Sequence, residues 1–184
     1  LYNSAAKKSD NNAIVNIGYL YQNGLGVNQD YKEAMKWYLI AANQGNSDAQ
    51  NHVGKMYLRG LGVKKDYNIA MEWFQKAAEK NYYEAQRNIG IMYQEGYGLE
   101  QNCEEALKWF KQSAENGSIE TSAYLSWLYA RGQKVEIDYN LAFKFAKKAA
   151  MEQNSLGYTI LGYLNLNGFG VTKNFGGAVD FYEL

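Results

Sequence analysis

The sequence predicts an all-α fold, an α-α superhelix (solenoid) of helix-turn-helix units 36 residues long, and three observations carry that prediction. Glycine turns recur at a constant interval: Gly24-Leu25-Gly26, Gly60-Leu61-Gly62, Gly96-Tyr97-Gly98, Gly132-Gln133-Lys134 and Gly168-Phe169-Gly170 begin 36 residues apart. Between the turns, apolar residues keep a helical period and not a strand period. No proline occurs in the 184 residues, so nothing interrupts either helix of a unit.

The first helix of the first unit is predicted over roughly 11–23, where Ala13, Ile17, Leu20 and Tyr21 are spaced to share one buried face. The glycine pair then reverses the chain with backbone angles that residues bearing a β-carbon resist. Asp30 stands where a helix wants an N-cap, with Glu33 three residues on, and Asn102 with Glu105 repeats that capping box. The second helix places Ala34, Trp37, Tyr38 and Ala41 on one stripe and ends near Gly45, as its copy ends near Gly117. Gly18 and Ala34 suggest a small-on-small contact between two helix backbones, with Trp37 filling the space beside it.

The columns generated by the period are nearly constant. Gly18 recurs as Gly54, Gly90, Ser126 and Gly162, and Tyr21 as Tyr57, Tyr93, Tyr129 and Asn165. Asp30 recurs as Asp66, Asn102, Asp138 and Asn174, and Ala34 as Ala70, Ala106, Ala142 and Ala178. Trp37 recurs as Trp73, Trp109, Phe145 and Phe181, while Ala41-Ala42 recurs as Ala77-Ala78, Ser113-Ala114 and Ala149-Ala150, with Ala5-Ala6 one period upstream. One helix pair cannot bury such faces, whereas stacked pairs can.

These residues resemble the Sel1-like repeat, a relative of the tetratricopeptide repeat, over essentially the whole chain. Residues 1–184 are expected to be a single array of about five repeats. The fourth unit departs most, with Ser126 for the first-helix glycine and Lys134 for the second turn glycine, and the fifth has Asn165 for tyrosine. Leu1-Tyr2 aligns with Trp37-Tyr38, as Phe181-Tyr182 does, so the chain is expected to start and end inside second helices as a piece of a longer array. Such open ends make self-association through the array ends an expected mode.

Composition narrows the function. Basic and acidic residues number 19 each, which offers no basic field for nucleic acid. The apolar run from Trp37 to Ala42 is too short for membrane insertion. The glycine turns are bends and not phosphate cradles, because a helix precedes them and Gln29 stands where a dinucleotide fingerprint needs its third glycine. His52 is the only histidine and Cys103 the only cysteine. They fall in different units, so no catalytic Cys–His pair, metal site or cofactor is expected, and Cys103 is expected to fill a tyrosine's place as a buried or half-buried thiol. Most tyrosines fall in the columns of Tyr21, Tyr31 and Tyr38 and are expected in the core. Glu72 with Lys76 and Glu104 with Lys108 read as solvated helix faces.

The variable stripe of the first helix is the candidate binding surface. Its columns supply Asn16, His52, Asn88 and Tyr124, then Tyr19, Lys55, Ile91, Trp127 and Tyr163, together with Arg59, Arg87 and Arg131. The resemblance implies that first helices line a concave face where a protein or peptide partner sits. Trp127 is the only tryptophan outside the Trp37 column, and with Tyr124, Tyr163 and Arg131 it has the composition of an interface hot spot. The resemblance implies a non-catalytic interaction scaffold or adaptor, of the kind found in signalling, endoplasmic-reticulum quality control, envelope assembly and host contact. A stoichiometric inhibitor or immunity protein is the alternative. The enzyme-like, disulfide-rich relatives are a poor match to a chain with one cysteine.

Overall fold

The structure, a computed structural model, describes residues 11–182. The expectations placed on Leu1-Tyr2 and Ala5-Ala6 lie outside the described residues. Ten helices occur among the described residues, and no strands: α1 (Asn11–Asn23), α2 (Tyr31–Asn43), α3 (Ser47–Arg59), α4 (Tyr67–Ala78), α5 (Tyr83–Glu95), α6 (Cys103–Glu115), α7 (Ile119–Arg131), α8 (Tyr139–Met151), α9 (Ser155–Asn167) and α10 (Phe175–Tyr182). Odd-numbered helices are the first helices of the repeat and even-numbered ones the second. The fold is an all-α solenoid. It divides between Ala106 and Leu107, inside α6, into two compact units.

Each second helix starts on the predicted cap. The Asp30 carboxylate accepts from the backbone N–H groups of Lys32 and Glu33 at 2.9 and 3.0 Å, and Asp66, Asn102, Asp138 and Asn174 each cap their helix in the same way. The box does not close at Asp30 as the sequence suggested. The N–H of Asp30 donates instead to the carbonyl of Tyr21 at 2.9 Å, and the Asn102 N–H to Tyr93, while Glu33 turns to Lys36. The same bond recurs from Asp66 to Tyr57, Asp138 to Tyr129 and Asn174 to Asn165. Because it uses a backbone carbonyl, Asn165 can replace tyrosine without losing it.

The close approach behind the small column differs from the expected one. A β-carbon added at Gly18 would stand 2.7 Å from the Tyr38 ring, and one at Gly54 would stand 2.6 Å from the Phe74 ring. The ring, not the Ala34 backbone, is what the glycine admits. Tyr38 and Phe74 are fully buried, whereas Trp37 and Trp73 are half-buried and pack against the core from outside. The buried stripe of α1 is Ile14, Val15, Ile17 and Gly18, rotated from the predicted face so that Ala13, Leu20 and Tyr21 lie at its margin.

In residues 11–106, α1 packs on α2, α2 on α3, α3 on α4, and α4 on α5. In residues 107–182, α7 packs on α8, α8 on α9 and α9 on α10, and the first helices α7 and α9 also touch directly. Lys76 lies 4.2 Å above the Trp73 ring, a cation–π contact in place of the helical pair read with Glu72.

Candidate functional site

The first-helix surface of residues 11–106 changes character along its length. On α1, Asn16 and Tyr19 are exposed, Tyr19 at 47%. On α3 and α5 the face is held by a polar network. The Glu84 carboxylate accepts from Lys55 Nζ and from Asn51 Nδ2, both at 2.9 Å, and Asn88 Nδ2 donates to Asn51 Oδ1 at 2.8 Å. One turn away, Asp48 accepts from the Tyr82 hydroxyl at 2.8 Å and lies 3.6 Å from His52 Nε2. His52 stacks on the Tyr38 ring at 4.4 Å, nearly parallel, so its imidazole closes over the core.

Electrostatics follows from that geometry. Burial lowers the His52 pKa below its ordinary 6.5, with Lys55 adding to the effect and Asp48 and Glu84 opposing it. Burial alone would raise the Glu84 carboxyl, but the hydrogen bond and charge of Lys55, then His52 and Asn51, outweigh it and hold the group below its ordinary value. Burial also raises the hydroxyls of Tyr38 and Tyr82, assisted in both by Asp48. His52, Lys55 and Asn88 are therefore occupied within this surface. Arg59 and Arg87 are exposed beside it, and Ile91 is half-buried.

In residues 107–182 the same columns are aromatic. Tyr124 and Trp127 are half-buried and stack on one another at 6.3 Å, with Phe110 meeting the edge of Tyr124 at 5.4 Å. Arg131 is exposed one helical turn beyond Trp127. Tyr163 on α9 is 38% exposed and leans on Phe169 of the following turn, which in turn stacks on Tyr139.

Sequence reasoning put Asn51 on the exposed variable stripe and passed over Glu84. The column of Val15, Asn51, Arg87, Ala123 and Thr159 reads as exposed because it varies, yet Val15, Asn51 and Ala123 are buried and only Arg87 and Thr159 are exposed. A signal was present: Asn51, Lys55 and Glu84 are all polar, and Glu84 lies one period after Asp48, next to the stripe. Cys103 corrects another expectation, since its thiol is exposed at the first residue of α6 and fills no tyrosine's place. Among the described residues, no three His, Cys, Asp or Glu side chains gather as metal ligands would, and no helix is long and apolar enough to cross a membrane.

The comparisons fit this architecture. The Sel1 repeat family model matches residues 11–46, 47–82, 84–118, 121–154 and 155–184. A Sel1 repeat protein of Oxalobacter formigenes is 33% identical, with TM-score 0.82 over 95% of this chain and 71% of its own. A protective antigen of uropathogenic Escherichia coli with an SLR fold is 32% identical, with TM-score 0.86 over 99% of this chain, which spans 39% of that protein. A Sel1 repeat protein of Klebsiella pneumoniae shares the fold at 18% identity, with TM-score 0.58 over 85% of this chain and 78% of its own. None of the curated protein sequences matches this chain. Sel1 repeat solenoids are generally interaction scaffolds that bind protein partners, and not enzymes. With all five of its units matched in phase, the chain belongs to the Sel1 repeat family.

Proposed function

We propose that the chain is a non-catalytic scaffold or adaptor that binds a partner protein or peptide on its first-helix faces. One observation carries this: Tyr124 and Trp127 stack on α7 with exposed Arg131 one turn beyond, a combination that no other repeat has in these three columns. The repeat does not require a tryptophan at Trp127, where other units have Lys55 and Ile91, so binding is the role that accounts for it. Among the described residues, the single histidine, His52, is committed to Tyr38 and Asp48.

Affinity capture with the whole array followed by mass spectrometry identifies the partner, and a variant then tests the face. Trp127→Ala should weaken that complex by about 2 kcal/mol or more while leaving the melting temperature within a few degrees. Should Trp127→Ala instead unfold the protein as readily as Phe74→Ala, the indole belongs to the core and this reading fails.

A further inference from the structure

Arginine and lysine are segregated between the two helix sets. The 19 basic residues comprise 16 lysines and three arginines. All three arginines, Arg59, Arg87 and Arg131, lie exposed on first helices. A single lysine, Lys55, lies on a first helix, and Glu84 holds its ammonium. The other described lysines stand on second helices and in turns.

None of the three guanidinium groups forms an ion pair among the described residues. Glu84, one turn before Arg87, has its Oε2 taken by Lys55 and Asn51. A favourable helix-dipole position accounts for Arg59 and Arg131, which stand in last turns, but not for Arg87 in the middle of α5. Arginine presents a rigid fork that matches a carboxylate with two parallel hydrogen bonds, and it is enriched at interfaces where lysine is depleted. Net zero charge and a single, paired lysine on this surface are unlike a phosphate-backbone footprint.

We infer that the first-helix face of residues 11–106 takes an acidic segment of a partner protein, its carboxylates seated on Arg59 and Arg87. Arg87 stands one period after Asn51, and Arg59 lies eight residues further along α3, about 12 Å at 1.5 Å per residue. Carboxylates on an extended peptide therefore need a separation of about four residues or more to reach both. This inference rests on the scaffold reading and names the chemistry of its partner.

The test uses the full chain and an array of synthetic 12-residue peptides with leucine and phenylalanine at fixed positions and net charge graded from −6 to +6. Binding should concentrate on the acidic peptides. Replacing their Asp and Glu by Asn and Gln should weaken it about tenfold, as should Arg59→Gln with Arg87→Gln, with the melting temperature unchanged. Equal binding of the amide peptides overturns the acidic partner and leaves the scaffold reading standing. An array with no bound peptide at any charge overturns both. A single-stranded oligonucleotide bound as tightly as the acidic peptides overturns the inference in favour of phosphate.

Discussion

The second and fourth repeats, residues 47–82 and 121–154, bury the same kind of helix contact in opposite ways. In the second, Gly54 on the first helix admits the Phe74 ring, which is fully buried, while Trp73 beside it stays half-buried. In the fourth, the corresponding residues are Ser126 and Ala146, both buried, so a small pair replaces the glycine and the ring. The bulk has moved one column along: Phe145 is buried and stacks on buried Tyr129 at 6.2 Å and 8°. The Ser126 hydroxyl donates to the Ala123 carbonyl at 2.7 Å, which satisfies the one polar atom that the exchange introduces. The contact therefore keeps a buried ring in each repeat and not the residue identity or the column that supplies it.

If that is right, the two rings are equivalent despite standing in different columns. Phe74→Ala and Phe145→Ala should each destabilise by about 3–5 kcal/mol in urea unfolding. A loss under about 1 kcal/mol for Phe145→Ala would mean that the fourth repeat is loosely packed and the bulk was never transferred. Ala146→Phe sharpens the comparison. Alone it should overpack the site and cost about 1–3 kcal/mol, and Ser126→Gly in the same chain should recover part of that cost.

The turns differ in the same direction but by less. Gly62 has φ 70°, and a β-carbon there would stand 2.6 Å from the Tyr31 backbone, so Gly62→Ala should cost about 2 kcal/mol or more. Lys134 occupies the equivalent position at φ 61°, so the fourth turn keeps the glycine conformation with a side chain that resists it. Lys134→Gly should relieve about 1–2 kcal/mol of strain against about 0.4–1 kcal/mol of added unfolded-state entropy. The expected outcome is a small rise in melting temperature; a fall would show that the lysine side chain contributes packing that outweighs its strain.

Much of this fold was legible because its rules are local and repeated. The period placed every described helix, and Asp30 and its copies marked the helix starts, since a cap depends on a few consecutive residues. The partner of Gly18 was not legible: Ala34 and Tyr38 lie one turn apart on one stripe, and only the helix rotation decides between them. For the surface, variation along a column was read as exposure. It also arises where neighbouring repeats form a specific polar contact, as Asn51 and Lys55 do with Glu84, because such a contact changes from one interface to the next. The aromatic strip on α7 was visible because Trp127 is out of column, a signal that needs no structure.

The smallest expected difference between these repeats is in their response to acid, and it rests on the column of His52. The second repeat has a histidine there, the first and third have Asn16 and Asn88, and the fourth has Tyr124. His52 is stacked on Tyr38 of α2 and faces Asp48 and Lys55 of its own helix and Glu84 of α5, and burial holds its folded pKa below 6.5. The unfolded chain therefore takes up the proton first as pH falls. The stability contributed by the neutral ring is complete above pH 6.5 and is lost progressively as pH drops from there through the folded value. Glu84 is the other depressed group, and its contribution is lost lower, as pH falls from its ordinary 4.5 through its own folded value. Between about pH 7.5 and pH 5.5 the melting temperature should thus decline slightly, and His52→Asn, the residue of the first and third repeats, should flatten that decline. A decline that persists unchanged in His52→Asn would assign the acid response to other groups and leave the second and fourth repeats electrostatically alike.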